Sequence, residues 1–113
     1  MIGKVFADWW NSMADFYLVV RQTEKTVWLQ ELSWSTCPPP EGEEVDPTWR
    51  YAKIDCDENG KPLPEKDQFT GKPAKLIKKR LRNGRLTSRW QGCNHPMCLV
   101  ENPSKDVFHF YWG

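Results

Sequence analysis

Apolar residues concentrate first in Asp15-Phe-Tyr-Leu-Val-Val-Arg-Gln22 and again in Val27-Trp-Leu-Gln-Glu-Leu-Ser-Trp34, with the polar Thr23-Glu-Lys-Thr26 between them. Both runs are rich in β-branched and aromatic residues, which suit a pleated, half-buried surface. Two such runs around a polar turn predict a β-hairpin. Phe16 to Val20 is apolar without a break, the pattern of a strand covered on both faces, so the first arm is expected at the centre of a sheet. Cys37-Pro38-Pro39-Pro40 ends the second arm, because proline offers no ladder donor. Residues 48–54 predict a short strand with Trp49 and Tyr51 on one face, and Asp57-Glu-Asn-Gly60 a turn. Lys61 to Lys75, with Pro62, Pro64 and Pro73, predicts a long loop. Asn83-Gly84 divides Leu76–Arg82 from Arg85–Trp90, and Asn-Gly between strand-like runs is the strongest short hairpin signal. The aromatic run from Val107 to Trp112 predicts a last strand that closes a sheet or barrel, and residues 8–13 offer a short helix. The expected fold is mainly β: a small antiparallel sheet or SH3-like barrel of about five to six strands. Residues 37–75 form its long irregular middle.

Composition narrows the class. A chain of 113 residues suits a single domain over 1–113. It is 39% apolar and 27% charged with a net charge of +1, values expected of a globular protein. Seven tryptophans are many for this size. Four or five are expected in the core and the rest at the surface, where tryptophan favours contacts. No stretch has the length and apolarity to cross a bilayer as a helix, and the first residues lack the apolar core of a signal peptide. A cytoplasmic location with no membrane partner is the expectation. The four cysteines are then expected as thiols rather than disulfides.

The near-neutral total hides two opposed blocks. Residues 41–67 carry nine acids and four bases, whereas 70–90 carry eight bases and no acid. A two-residue turn at Asn83-Gly84 would pair Arg82 with Arg85, Arg80 with Thr87, and Lys78 with Arg89. Strand alternation would then gather Lys78, Arg80, Arg82, Arg85 and Arg89 on one face, with Ile77, Leu81, Leu86 and Trp90 packing inward. Like charges facing each other cost stability, and a phosphate backbone would repay it by counterion release. These five are the expected nucleic-acid-binding residues. A solvated edge strand and pairing with the acidic block are the competing readings. A second surface, Glu41, Glu43, Glu44 and Trp49, is the expected contact if the partner is a protein.

Chemistry-bearing clusters are sparse. Cys93, His95 and Cys98 place two thiols and an imidazole within six residues, and Cys37 or Cys56 would complete a zinc tetrahedron. The spacing departs from that of zinc knuckles, so these are weak metal candidates beside a plain turn at Gly92, Asn94 and Pro96. Asp55-x-Asp57-x-Asn59-Gly60 begins like an EF-hand loop, yet its twelfth position is Lys66 where a bidentate acid belongs. No nucleophile elbow or phosphate-cradling glycine motif is present. The expectation is a non-enzymatic protein with no catalytic residues and no cofactor.

Asp15-Phe-Tyr-x-Val-Val-x-x-Thr-x-Lys-Thr-Val-x-Leu29, the later basic strand and the Tyr111-Trp112-Gly113 end resemble a group of small uncharacterised proteins carried by phages, plasmids and other mobile elements of bacteria. The group's pattern has a Trp-Gly-Tyr segment before Asp-Phe-Tyr, where this chain has Trp9-Trp10-Asn11-Ser12-Met13, and it ends in Trp-Asp-Gly. The resemblance implies a mobile-element context rather than an activity. The expected function is a small binding protein that contacts nucleic acid or a ribonucleoprotein through the basic hairpin. The alternatives are a protein-targeted inhibitor of a bacterial defence system (anti-CRISPR-like), using the acidic and Trp-rich surface, and a small zinc-binding protein. Oligomeric state is open.

Overall fold

The computed structural model describes residues 1–9, 14–42 and 49–111, the side chains of Trp9, Trp90 and Tyr111 excepted. Ten strands follow in chain order: β1 (Val5–Trp9), β2 (Ala14–Gln22), β3 (Thr26–Glu31), β4 (Trp34–Cys37), β5 (Trp49–Ile54), β6 (Ile77–Arg80), β7 (Thr87–Trp90), β8 (Cys93–Pro96), β9 (Cys98–Val100) and β10 (Val107–Tyr111). They form antiparallel sheets of five strands (β6-β3-β2-β1-β9), three strands (β10-β5-β4) and two strands (β7-β8). The mainly-β antiparallel class is as the sequence predicts. Of the additional strands, β4 comes from the predicted run over 27–34, which divides between sheets, whereas β1, β8 and β9 form where no strand is predicted.

The first hairpin forms where its pattern places it. Thr23 N–H donates to the Thr26 carbonyl at 2.8 Å, and β2 sits at the middle of the five-stranded sheet. The register steps from Val19 opposite Leu29 to Arg21 opposite Trp28, so Val20 is an extra residue and the strand bulges there. The bulge turns Arg21 onto the face that carries Trp28.

The predicted strand over 27–34 divides at Leu32. Leu32 N–H still donates to the Phe16 carbonyl of the large sheet at 2.8 Å. Trp34 pairs with Ile54 of the small one. Buried Leu32 is the corner where the chain changes sheets. Between the sheets lies the main core of Val5, Ala7, Ala14, Phe16, Leu32, Ile54 and Val100. Phe16 meets Phe108 at a tilt, with centroids 4.8 Å apart, and Trp34 edge-on at 6.5 Å, within the range of favourable aromatic pairs. The opposite face of the large sheet has its own core, in which Val19, Val27 and Leu29 are covered by Leu86 and Met97.

Two readings of the sequence are corrected. Asn83-Gly84 does turn tightly, with positive φ at both residues (51° and 73°) and reciprocal 2.9 Å hydrogen bonds between Arg82 and Arg85. The arms then part. β6 pairs with β3, and β7 pairs with β8. Arg80 therefore lies opposite Thr26, Lys78 opposite Trp28, and Arg89 opposite Asn94, in place of the expected partners across the turn. A second turn at Gln91-Gly92, again with positive φ at both residues (48° and 78°), gives β7 its own partner. The short helix expected over 8–13 is also replaced in part, since Asp8 and Trp9 belong to β1. Residues 10–13 lie outside the described residues. So does Trp112, at the end of the predicted last strand.

Residues 55–76 are irregular but held. Isolated bridges join Cys56 with Pro62, Leu32 with Pro64, and Lys66 with Pro73. No helix among the described residues is long and apolar enough to cross a membrane.

Candidate nucleic-acid interface

The expected basic face is divided by the parting of the arms. Alternation along β6 holds: Lys79 lies opposite Val27 and turns with Leu81 toward the second core, and Lys78 and Arg80 turn the other way. Lys79 is drawn in, its Nζ donating to the Thr87 carbonyl at 3.1 Å. Lys78 and Arg80 are exposed. Arg82 and Arg85 flank the turn and line an open recess of about 520 Å³ with Asn83, Thr87, Asn94 and Pro96. Arg89 follows buried Ser88 and so points outward from the β7-β8 hairpin, on the far side from Lys78 and Arg80. Of the expected inward residues, Leu86 is buried and Leu81 packs on the second core. Ile77 is 36% exposed, and the Trp90 side chain lies outside the described ones.

Lys78 and Arg80 acquire other neighbours. On the same face, Trp28 receives Arg21 from β2, with its guanidinium carbon 4.6 Å from the ring centroid, and Lys78 from β6, with its ammonium 5.6 Å away. Both fall within cation–π range. Lys25, Thr26, Lys78 and Arg80 line an open recess of about 520 Å³ beside them. The result is a cationic strip across three strands: Arg21, Lys78, Arg80 and Lys25, with the indole holding two of the cations in place. Arg21, Lys25 and Trp28 escape a reading confined to one hairpin. The bulge at Val20 that turns Arg21 onto this face leaves no mark in the sequence pattern.

The competing features fall elsewhere. Glu41 is exposed, whereas Glu43 and Glu44 lie outside the described residues. Trp49 is 36% exposed, and its ring meets that of His109 at a tilt, with centroids 4.9 Å apart. Of the other described tryptophans, Trp34 packs against the main core, and Trp28 serves the strip. The side chains of Trp9, Trp10, Trp90 and Trp112 are outside the described ones, so the expected count of four or five core tryptophans rests partly on them. Cys93, His95 and Cys98 are exposed, the first two on β8 and the last on β9. Among the described residues no three His, Cys, Asp or Glu side chains form a group able to hold a metal. Asp55 accepts from Ser33 Oγ at 2.7 Å and Ser35 Oγ at 2.8 Å. Asp57 Oδ1 accepts from the N–H groups of Asn59 and Lys61, both at 2.9 Å. The acids that open like an EF-hand loop thus hold a strand edge and a turn.

A carboxylate cluster lies beyond the second core. Asp8 sits directly opposite Asp15, and Tyr17 opposite Glu31. Burial, then the charge of Asp8, raises the Asp15 carboxyl above its ordinary range. Burial, then Asp15 and Glu65, raises Glu31. Tyr17 is pushed up to about 12 by burial and by Asp15, Glu31 and Asp8. A raised folded-state carboxyl favours the protonated chain, so stability is greatest below the unfolded-state value and is lost as pH rises through the folded one. Stability therefore increases on mild acidification through the window just above the ordinary carboxylate range. Asp15→Asn is expected to stabilise the protein by about 0.5 kcal/mol at neutral pH by removing a facing like charge and to flatten that pH dependence. Urea unfolding at about pH 5 and pH 7 checks both effects.

Compared with known protein families, curated proteins and solved structures, the chain matches none.

Proposed function

We propose that the chain is a non-enzymatic binding protein of a phage or mobile element that contacts nucleic acid, bare or within a ribonucleoprotein, through the strip of Arg21, Lys25, Lys78 and Arg80. The observation that carries this reading is the Arg21–Trp28–Lys78 arrangement. Holding two cations against one ring pre-orders their side chains, so less freedom is lost when they meet phosphate. Arginine contributes a planar fork suited to phosphate oxygens. Arg82 and Arg85 line a separate recess with Thr87, Asn94 and Pro96. Arg89, opposite Asn94 on the β7-β8 hairpin, falls outside the strip. The test is titration of a fluorescent oligonucleotide between about 50 and 200 mM salt, where phosphate contacts give a linear fall of log affinity with log salt. Affinity that does not change with salt would refute the reading.

A second reading, a protein-targeted inhibitor of a bacterial defence complex, is favoured by the aromatic outer face of β5 and β10. There Trp49 and Tyr51 flank His109 at 4.9 and 6.3 Å. Capture of one host protein that survives nuclease treatment and is lost with Trp49→Ala is the outcome expected of it. Capture abolished by nuclease returns the assignment to the cationic strip.

A further inference from the structure

Phe69 is the most exposed of the large apolar side chains described, at 87% against 65% for Ile2, the next. Its position is fixed rather than loose. Asp67 N–H donates to the Lys72 carbonyl at 2.8 Å, and Gly71 N–H donates to the Asp67 carbonyl at 2.9 Å. Asp67 Oδ1 accepts from Phe69 N–H at 2.8 Å and from Thr70 N–H at 3.1 Å. The bridge between Lys66 and Pro73 closes the base of the loop. A pinned loop therefore holds a phenyl ring out in water.

The loop leads directly into the cationic strip. Ala74 N–H donates to the Glu65 carbonyl, and the Ala74 carbonyl accepts from Gln30 Nε2 at 3.1 Å, which ties the loop to β3 just before β6 begins. Lys72 and Lys75 are exposed on the way, and Leu76 is 47% exposed. From Phe69 to Arg80 the chain thus presents an aromatic tip followed by cations interleaved with exposed apolar surface. Trp28, the aromatic within the strip, already carries a cation from each flanking strand, whereas the exposed Phe69 ring is open to a base.

We propose that the nucleic acid bound by this chain is single-stranded, with Phe69 stacking on a base while Lys75, Lys78 and Arg80 track the phosphates along β6. This inference rests on the nucleic-acid reading above. Cationic grooves with exposed aromatic rings bind single strands because every unpaired base offers a face. In a duplex those faces are occupied, and freeing one requires unstacking.

The experiment is anisotropy titration of a labelled oligothymidine of about 20 nucleotides and of a duplex of equal length, using the full chain, Phe69→Ala, Phe69→Trp and Lys78→Glu/Arg80→Glu. Thermal melts run alongside. At 87% exposure the ring contributes little to the fold, so Phe69→Ala is expected to melt with the parent. The expected result is tighter binding of the single strand by the parent. Phe69→Ala should then lose about tenfold on the single strand with its salt slope unchanged, and Phe69→Trp should retain affinity. Phe69→Ala binding oligothymidine as tightly as the parent, or the parent preferring the duplex, would overturn the inference while leaving the strip intact. Failure of the parent to bind either would overturn the nucleic-acid reading itself, and this inference with it.

Discussion

Phe16→Ala is expected to cost about 3–5 kcal/mol, the range for deleting a fully buried phenyl ring. Phe16 has no exposed surface, and its ring is the shared contact of Trp34 on β4 and Phe108 on β10. The cavity left would lie between the two larger sheets, where neither can close it without giving up strand register. A domain of this size is stable by roughly 5–15 kcal/mol in all, so the variant should sit near the edge of folding. Its midpoint should fall by about 15 °C or more. Phe16→Leu keeps most of the volume and should cost less than about 1.5 kcal/mol. Thermal and urea unfolding of the two variants check the prediction. Equal stability would mean that Phe16 does not hold the sheets together.

The second large effect concerns binding. Lys78→Glu/Arg80→Glu removes two phosphate contacts from the centre of the strip. For a single strand each contact contributes about 0.7 to the salt slope, so the slope should fall by about 1.4. Scaled from a molar reference to about 50 mM salt, that difference is a loss of about 70-fold, and repulsion from the new carboxylates adds to it. Both residues are exposed, so melting should be nearly unchanged. Arg89→Glu is the informative companion. The reading of the hairpin as one face predicts the loss of one such contact, about 8-fold on the same scale. The observed pairing of Arg89 with Asn94 predicts a much smaller one. Anisotropy titration across the salt range separates the two.

The contrast between Lys78 and Arg89 shows what local pattern can and cannot carry. The turn at Asn83-Gly84 was legible because positive φ has a residue-type signature. The alternation of β6 was legible because Leu81 and Lys78 differ in polarity. What the arms pair with was not, since Thr26 and Trp28 lie about fifty residues away and nothing in the Lys/Arg run names them. The second tight turn was legible only at Gly92, since its expected extension over Asn94 and Pro96 falls within β8. Gln91 adopts positive φ although glutamine is not a residue that advertises it. The division of residues 27–34 between two sheets depends on burial of Leu32 against both, which is a tertiary fact. For the candidate site, Lys78 and Arg80 follow from the sequence. Arg21 and Trp28 join them through a bulge and a cross-strand pairing that only the assembled sheet supplies.

Strand order also sets when this sheet can be completed. β1 lies between β2 and β9, and Val5 faces Leu18 on one side and Val100 on the other. The first contact is local, but the second spans ninety-five residues of chain. During synthesis β1 therefore waits with one edge unpaired until β9 emerges. β3 likewise waits for β6, whose residues lie about fifty positions downstream. The hairpin of β2 and β3 forms early, and both flanks of the growing sheet stay open until late. Such long-range closure places folding toward the slow end for small domains, with exposed strand edges as the hazard in the interval. The Lys-Lys-Arg sequence of β6 and the carboxylates along β1 and β2 then have a second consequence, opposing edge-to-edge association of incomplete chains before the sheet is whole.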